Sequence, residues 1–155
     1  MKSKIKNFIK GWSPDLPDIR DYKYSVPKLV SQKIPSSVNL KYKCPPVLDQ
    51  GDLGSCTANA IANAHLFNQR KQRSRRKFLP SRLFIYYNER RLENTIRIDS
   101  GAQIRNGFKT IANDGVCAES DWGYDISKFT VKPTASLYKE ALNHQAIKYM
   151  RINIL

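Results

Sequence analysis

One stretch of the 155-residue chain assembles the parts of a nucleophilic centre: Gln50-Gly51-Asp52-Leu53-Gly54-Ser55-Cys56, followed at once by Thr57-Ala58-Asn59-Ala60-Ile61-Ala62-Asn63-Ala64. A thiol attacks as its thiolate, and a free cysteine titrates near ~8.5. The first turn of a helix favours the anion, because its backbone N–H groups lack partners and the aligned peptide dipoles place partial positive charge there. The alanine-rich run contains no Gly or Pro and predicts a helix over residues 56–70, with Ser55 as its N-cap and Cys56 in its first turn. Attack on an amide carbonyl also needs donors aimed at the developing oxyanion. The Cys56 N–H can supply one. Gln50, six residues upstream across two glycines, can fold its carboxamide back to supply the other. Cys44 and Cys117 fall in extended or loop segments that offer no such device.

The elements that must hold this loop follow from local chemistry. Residues 1–43 carry Pro14, Pro17, Pro27 and Pro35 among polar and β-branched residues and predict an extended arm. Within it, Ser13-Pro14-Asp15-Leu16-Pro17-Asp18 reads as a solvated turn, with Asp18, Arg20 and Asp21 able to pair locally. Cys44-Pro45-Pro46-Val47 must run extended, since each proline disfavours the helical region for the residue before it. Residues 70–77 pack six positive charges into eight positions and end the first helix in a solvated loop. Small residues on several sides of that helix predict that it lies in the interior. A second helix begins at Pro80-Ser81 with Leu83, Tyr87 and Arg90 on one side. A third covers residues 102–113, with Ile104, Phe108, Ile111 and Ala112 inward and Asp114-Gly115 closing it. A short helix is predicted over 136–144, and the alternation of Ile147, Tyr149, Ile152 and Ile154 predicts a strand over 146–155.

The Gln50 to Cys56 segment with its alanine-rich helix resembles the papain-like (C1) cysteine peptidases, whose nucleophile lies in a Cys-Gly-Ser-Cys-Trp type signature. Pro14-Asp15 through Arg20-Asp21, Cys44-Pro45-Pro46-Val47, and Gly115-Val116-Cys117-Ala118-Glu119 through Trp122-Gly123-Tyr124 are similar to stretches of the bacterial and viral branch, so the resemblance covers residues 13–155. It implies an α+β fold: the mainly helical left-hand half of the papain-like architecture, with a buried central helix starting at the nucleophile. The arm or short leader would be residues 1–43, the left-hand domain 44–145, and the start of a right-hand domain 146–155. The resemblance also implies peptide-bond hydrolysis of a protein or peptide substrate, with no cofactor and no metal. Cys56 would be the nucleophile and Gln50 the oxyanion-hole side chain. Gly54 and Ser55 join them in the substrate-binding set, and Ser100 and Gly101 would lie at the backbone edge that binds extended peptide.

Departures from the family pattern are as informative. Leu53 stands where the signature has its first cysteine, so the family's usual disulfide from this loop is absent. Thr57 replaces the aromatic residue after the nucleophile. The base His and its orienting Asn come about 130–150 residues downstream of the nucleophile in this family, which is near position ~186 or later, whereas the chain stops at Leu155. His65 lies about 13.5 Å up the same helix and about half a turn around it, and His144 precedes the terminal strand; neither reaches Cys56. The isolated chain is therefore expected to be nearly inactive: a truncated reading frame, a fragment, or one part of a split enzyme whose complementary chain brings the right-hand domain. Two other readings stand beside this one, a non-catalytic remnant that binds peptide or protein, and a basic nucleic-acid or anionic-surface binder.

Composition narrows the choice. With 41% hydrophobic and 26% charged residues the chain is in the globular class. No apolar run approaches the ~18 residues of a membrane span, so no membrane partner is expected. The 27 Lys and Arg against 13 Asp and Glu give +14, a field that attracts polyanions. No aromatic platform or recognised motif accompanies the basic run at 70–77, which makes nucleic acid the poorer account. Residues 1–10 are basic but lack the apolar core of about 7–15 residues that a secretory signal requires. Three cysteines are odd in number and too few for a disulfide framework, and their spacing to two histidines fits no zinc pattern. A reducing, cytoplasmic site of synthesis is the expectation; whether Cys44 and Cys117 pair stays open.

Overall fold

The computed structural model describes residues 11–25 and 35–152. Its centre is a trio of mutually packed helices: α1 (Cys56–Lys71), α2 (Arg82–Leu92) and α3 (Ile104–Asn113). A fourth, α4 (Ala135–Ala141), continues into a 3-10 turn at Leu142–His144. The only sheet among the described residues is a parallel pair, β1 (Trp12–Ser13) against β2 (Ala102–Gln103), in the register Trp12 to Ala102. The fold is thus α+β and mostly helical, and no described helix is long and apolar enough to cross a membrane.

Sequence and structure agree on where the helices lie, and each difference has a local cause. Helix α3 starts two residues later than predicted because Ala102 and Gln103 are taken by β2. Helix α2 was expected to bury one side, yet every residue from 82 to 90 is buried. Helices α1 and α3 cover part of it, and the segment after Gly115 covers the rest: Tyr138 donates to Asn88 Oδ1 at 2.7 Å, and Glu119 pairs with Arg82. Helix α1 is interior on one side only. Ala58, Ile61, Ala62 and Leu66 are buried, but Ala60 and Ala64 are exposed and border an apolar groove with Leu40, Val47 and Phe67.

The predicted terminal strand does not form over its described part, residues 146–152. Only Arg151 makes a bridge, to Lys23, with Arg151 N donating to the Tyr22 carbonyl and Tyr24 N to the Arg151 carbonyl at 2.7 and 2.8 Å. An alternating pattern needs a neighbouring strand to pair with and a face to bury; Ile147 and Ile152 have neither and stand exposed. Residues 153–155 of that prediction, and 1–10 and 26–34 of the arm, lie outside the described residues. The described part of the arm is exposed at Pro14, Leu16, Pro17 and Ile19, as a solvated turn should be, yet its carboxylates are tied down. Asp18 and Arg20 do pair locally, at 2.8 Å, but Asp21 bonds Arg105 at 2.6 Å and Arg151 at 3.2 Å. Arg105, in the first turn of α3, also donates its backbone N–H to Asp15 Oδ1 and its guanidinium to the Leu16 carbonyl. One cation therefore fastens residues 15–21 to the helical trio.

Candidate active site

Cys56 is the first residue of α1, as expected, and Ser55 holds the N-cap position. The Ser55 hydroxyl, however, caps no backbone N–H. It bonds Tyr124 Oη, which in turn donates to the Gln50 carbonyl at 2.9 Å, while Asn59 Nδ2 donates to Ser55 Oγ at 3.0 Å. The result is a relay from α1 through Ser55 and Tyr124 to the start of the loop. Arg82 reinforces it: its guanidinium lies 3.8 Å over the Tyr124 ring, donates to the Asp49 carbonyl at 2.8 Å, and pairs with Glu119 at 2.7 Å. Gln50 Nε2 donates to the Leu53 carbonyl at 2.9 Å, which uses one of its two amide hydrogens and folds the side chain back over the loop. Leu53, at the position of the signature's first cysteine, fills the core instead of making a disulfide. All three cysteines are free.

The other end of the loop is tied across the cleft. Gly54 N donates to both carboxylate oxygens of Asp99, at 3.1 and 2.9 Å. Asp99 also accepts from Tyr86 Oη, and Tyr86 Oη accepts from Gly101 N at 3.1 Å. Asp99 and Tyr86 thus set the spacing between the loop that precedes Cys56 and the expected peptide-binding edge. Gly101 has φ +70°, a conformation open to glycine.

Between these two edges runs the arm. A Cβ built on Gly11 would meet the Gly54 carbonyl oxygen at 1.8 Å, and one built on Gly101 would meet the Gly11 carbonyl oxygen at 2.4 Å. Ala102 N donates to that same Gly11 carbonyl at 2.9 Å. The structure therefore brings Gly54 and Gly101 to opposite sides of one narrow gap, filled by Gly11. Ser55 is fully buried, and Ser100 Oγ lies within hydrogen-bond reach of Thr95 Oγ1 at 2.8 Å and the Gly101 carbonyl at 2.9 Å.

The electrostatics of Cys56 differ from the sequence expectation. Burial pushes its thiol above the ordinary value, Glu89 adds to the rise, and the backbone N–H groups of Thr57, Cys56 and Gly11 act the other way without overcoming it. The helix start does favour the anion, but covering the sulfur from water disfavours it more. Cys117 is buried and pushed up to about 12, so it is no competitor as a nucleophile. Neither histidine helps. His65 bonds Gln69 at 2.8 Å, and its ring and that of His144 gather around Phe78 at centroid distances of 6.2 and 4.6 Å. Burial lowers the His65 imidazole, and His144 lies 3.4 Å from Glu140. No group of three or more His, Cys, Asp or Glu among the described residues is placed to hold a metal ion.

Asp99, Tyr86, Arg82 and Gly11 carry much of this geometry, and sequence reasoning singled out none of them for the site. Their partners lie 13 to 45 residues away where the separation is within the loop network, so no local spacing marks them. Tyr124 lay within a segment noted for resemblance, without a role.

No protein-family model matches the sequence. An uncharacterized peptidase C1-like protein of Acanthamoeba polyphaga mimivirus, L477, is 60% identical over 106 residues, which is 68% of this chain and 34% of that protein. The crystal structure of xylellain, a cysteine protease from Xylella fastidiosa, superposes with a TM-score of 0.84 at 41% identity, covering 94% of this chain and 59% of that one. The chain spans about a third of the length of the curated relative and three-fifths of the solved one. In sequence and in fold, the chain matches the N-terminal portion of papain-like, C1-type cysteine peptidases.

Proposed function

We propose that this chain is the left-hand part of a papain-like cysteine peptidase, in which Cys56 attacks the scissile carbonyl and the Cys56 N–H and Gln50 carboxamide receive the oxyanion. The observation that carries this reading is the position of Cys56 as first residue of α1, behind a loop held by Arg82, Tyr124 and Asp99. Attack requires the Cys56 proton to leave and the departing amine to gain one. Neither histidine of these 155 residues stands beside the sulfur, so the group that moves this proton belongs to a complementary right-hand portion. The apolar groove of about 500 Å³ along the exposed side of α1, with Val47 97% exposed, suits such a partner surface.

The test is complementation. The chain alone, and the chain mixed or fused with a right-hand domain that supplies a His and an Asn, are assayed on a fluorogenic peptide, each with Cys56 intact and as Cys56→Ala. Activity of the combined protein that disappears in Cys56→Ala supports the proposal. Equal activity of Cys56→Ala refutes it, and full activity of the chain alone refutes the need for a partner. A second reading, peptide binding without cleavage, is favoured by the thiol's upward displacement; it is supported if Cys56→Ala binds peptide as the wild type does and no combination cleaves.

A further inference from the structure

Behind the nucleophile's turn lies a carboxyl group with no part in the scheme above. Glu89, in the middle of α2, is fully buried, and its Oε2 accepts from Oγ1 of Thr57, the residue after Cys56, at 2.9 Å. Its other oxygen, Oε1, is buried without a hydrogen-bond partner among the described residues. That oxygen faces Gly107 of α3, where a Cβ would come within 2.3 Å of it and within 2.2 Å of Ile61 Cδ1. The carboxyl thus occupies the junction of α1, α2 and α3, closed off by a residue with no side chain.

The ionisable neighbours are few. Helix α1 presents Cys56, α2 presents Arg90 and Glu93, and α3 presents Gly107 at the point of contact. Arg90 is adjacent in sequence but spends its guanidinium elsewhere, on the carbonyls of Ile96, Ile98 and Phe129. Among the described residues no cation contacts the carboxyl, so a negative charge there is desolvated and uncompensated. Burial accordingly holds Glu89 well above the carboxylate range.

We propose that Glu89 is a positioning residue for Cys56: as a neutral carboxylic acid it anchors the first turn of α1 through Thr57 and keeps the space beneath the sulfur free of negative charge. Ionisation of either group then opposes ionisation of the other, as two coupled sites must. The proposal takes from the preceding section only the identity of the nucleophile, and its test needs no turnover.

The experiment follows alkylation of Cys56 by iodoacetamide from pH 6 to pH 10, resolved from Cys44 and Cys117 by peptide mapping, in the wild-type chain, Glu89→Gln and Thr57→Val. Where the acid is protonated, it and the amide are both neutral, and the wild-type and Glu89→Gln rates agree within about twofold. At higher pH the wild type falls behind, by at least about threefold at the widest, because charge on Glu89 holds the thiol protonated, and half a pH unit is a factor of three. Thr57→Val removes the hydroxyl that stabilises this charge and moves the divergence to higher pH. Superimposable wild-type and Glu89→Gln profiles overturn the proposal, as does a Glu89→Gln chain of native melting temperature that already alkylates several-fold slower at pH 6. Should Glu89→Gln not fold, a carbon-13 titration of the wild-type glutamate carboxyls decides: one glutamate still protonated above pH 7 supports the proposal, and all titrating below pH 6 overturns it.

Discussion

Replacing Gly11 by alanine is expected to lift the arm from the cleft and speed the alkylation of Cys56. The new Cβ would sit 1.8 Å from the Gly54 carbonyl oxygen, whereas even a close carbon–oxygen contact needs about 3.3 Å. An overlap of about 1.5 Å cannot be absorbed by Gly54, whose amide is clamped by both oxygens of Asp99; the arm must move. Moving it breaks the bond from Ala102 N to the Gly11 carbonyl, worth about 0.5–1.5 kcal/mol net, so the undocked fraction rises about 2- to 13-fold from that bond alone. Undocking removes two opposing influences on the sulfur. The Gly11 N–H that favours the thiolate is lost, and so is part of the burial that disfavours it; burial is the larger, so the thiol becomes more acidic. The pseudo-first-order rate of Cys56 alkylation at pH 7 is expected to rise on the order of 2- to 10-fold, with unchanged far-UV circular dichroism. Gly123→Ala is the control, since its nearest contact would be an ordinary 3.9 Å. A Gly11→Ala rate equal to wild type, with native melting, would refute the claim that this contact governs access to the sulfur.

Three further outcomes are expected. Arg82→Ala breaks a pair with Glu119 whose side chains are 9% and 17% exposed, and should lower unfolding stability by about 3–5 kcal/mol in urea titration; a loss below 1 kcal/mol would place it with ordinary surface pairs. Gly107→Ala forces a Cβ within 2.2 Å of Ile61 and 2.3 Å of Glu89, and should cost about 1–3 kcal/mol by the same measurement, where a neutral result would mean the three-helix junction is loosely packed. Asp21 is held below its ordinary value first by the hydrogen bond from Arg105 and then by Arg151. A carboxyl lowered in the folded state contributes stability above its unfolded value near ~3.9 that is lost as pH falls through the lower folded value. Exchange of the Ala102 amide, which reports arm docking, should therefore keep its protection above about pH 5, lose it progressively below about pH 4, and lose this dependence in Arg105→Gln.

The parts of the fold written in local chemistry could be read from the sequence. Alanine content located α1 and the Pro80-Ser81 start located α2, and Asp114-Gly115 closed α3 where expected. The failures are all long-range. The alternation of Ile147, Tyr149 and Ile152 carries no information about whether a strand waits alongside, and none does among the described residues. The arm's turn is exposed as expected, but nothing near it in sequence discloses Arg105, 84 residues from Asp21, which fastens it. For the candidate site, the placement of Cys56 at a helix start and of Gln50 folded back over its loop was legible because each depends on one loop and one helix start. Asp99, Tyr86 and Glu89 were not, because each acts through a partner that only packing brings near.

The charge on Cys56 shows why local reasoning placed this thiol at a helix start and misjudged its acidity. A helix start contributes about 0.3–1 kcal/mol to an anion, less than one pH unit of thiol acidity. Covering the sulfur with the arm acts in the opposite direction, as does Glu89 whenever it ionises, and burial is the largest influence on the group. Reversing that sign needs a stronger device. An imidazolium about 4 Å from the sulfur contributes about 4 kcal/mol at an effective dielectric of ~20, or close to three pH units, several times the contribution of the helix. The scaffold therefore fixes where the sulfur sits, while lowering its pKa calls for a cation that the described residues do not place beside it. An experiment that adds an imidazole-bearing partner should move the alkylation profile of Cys56 far more than any substitution within α1.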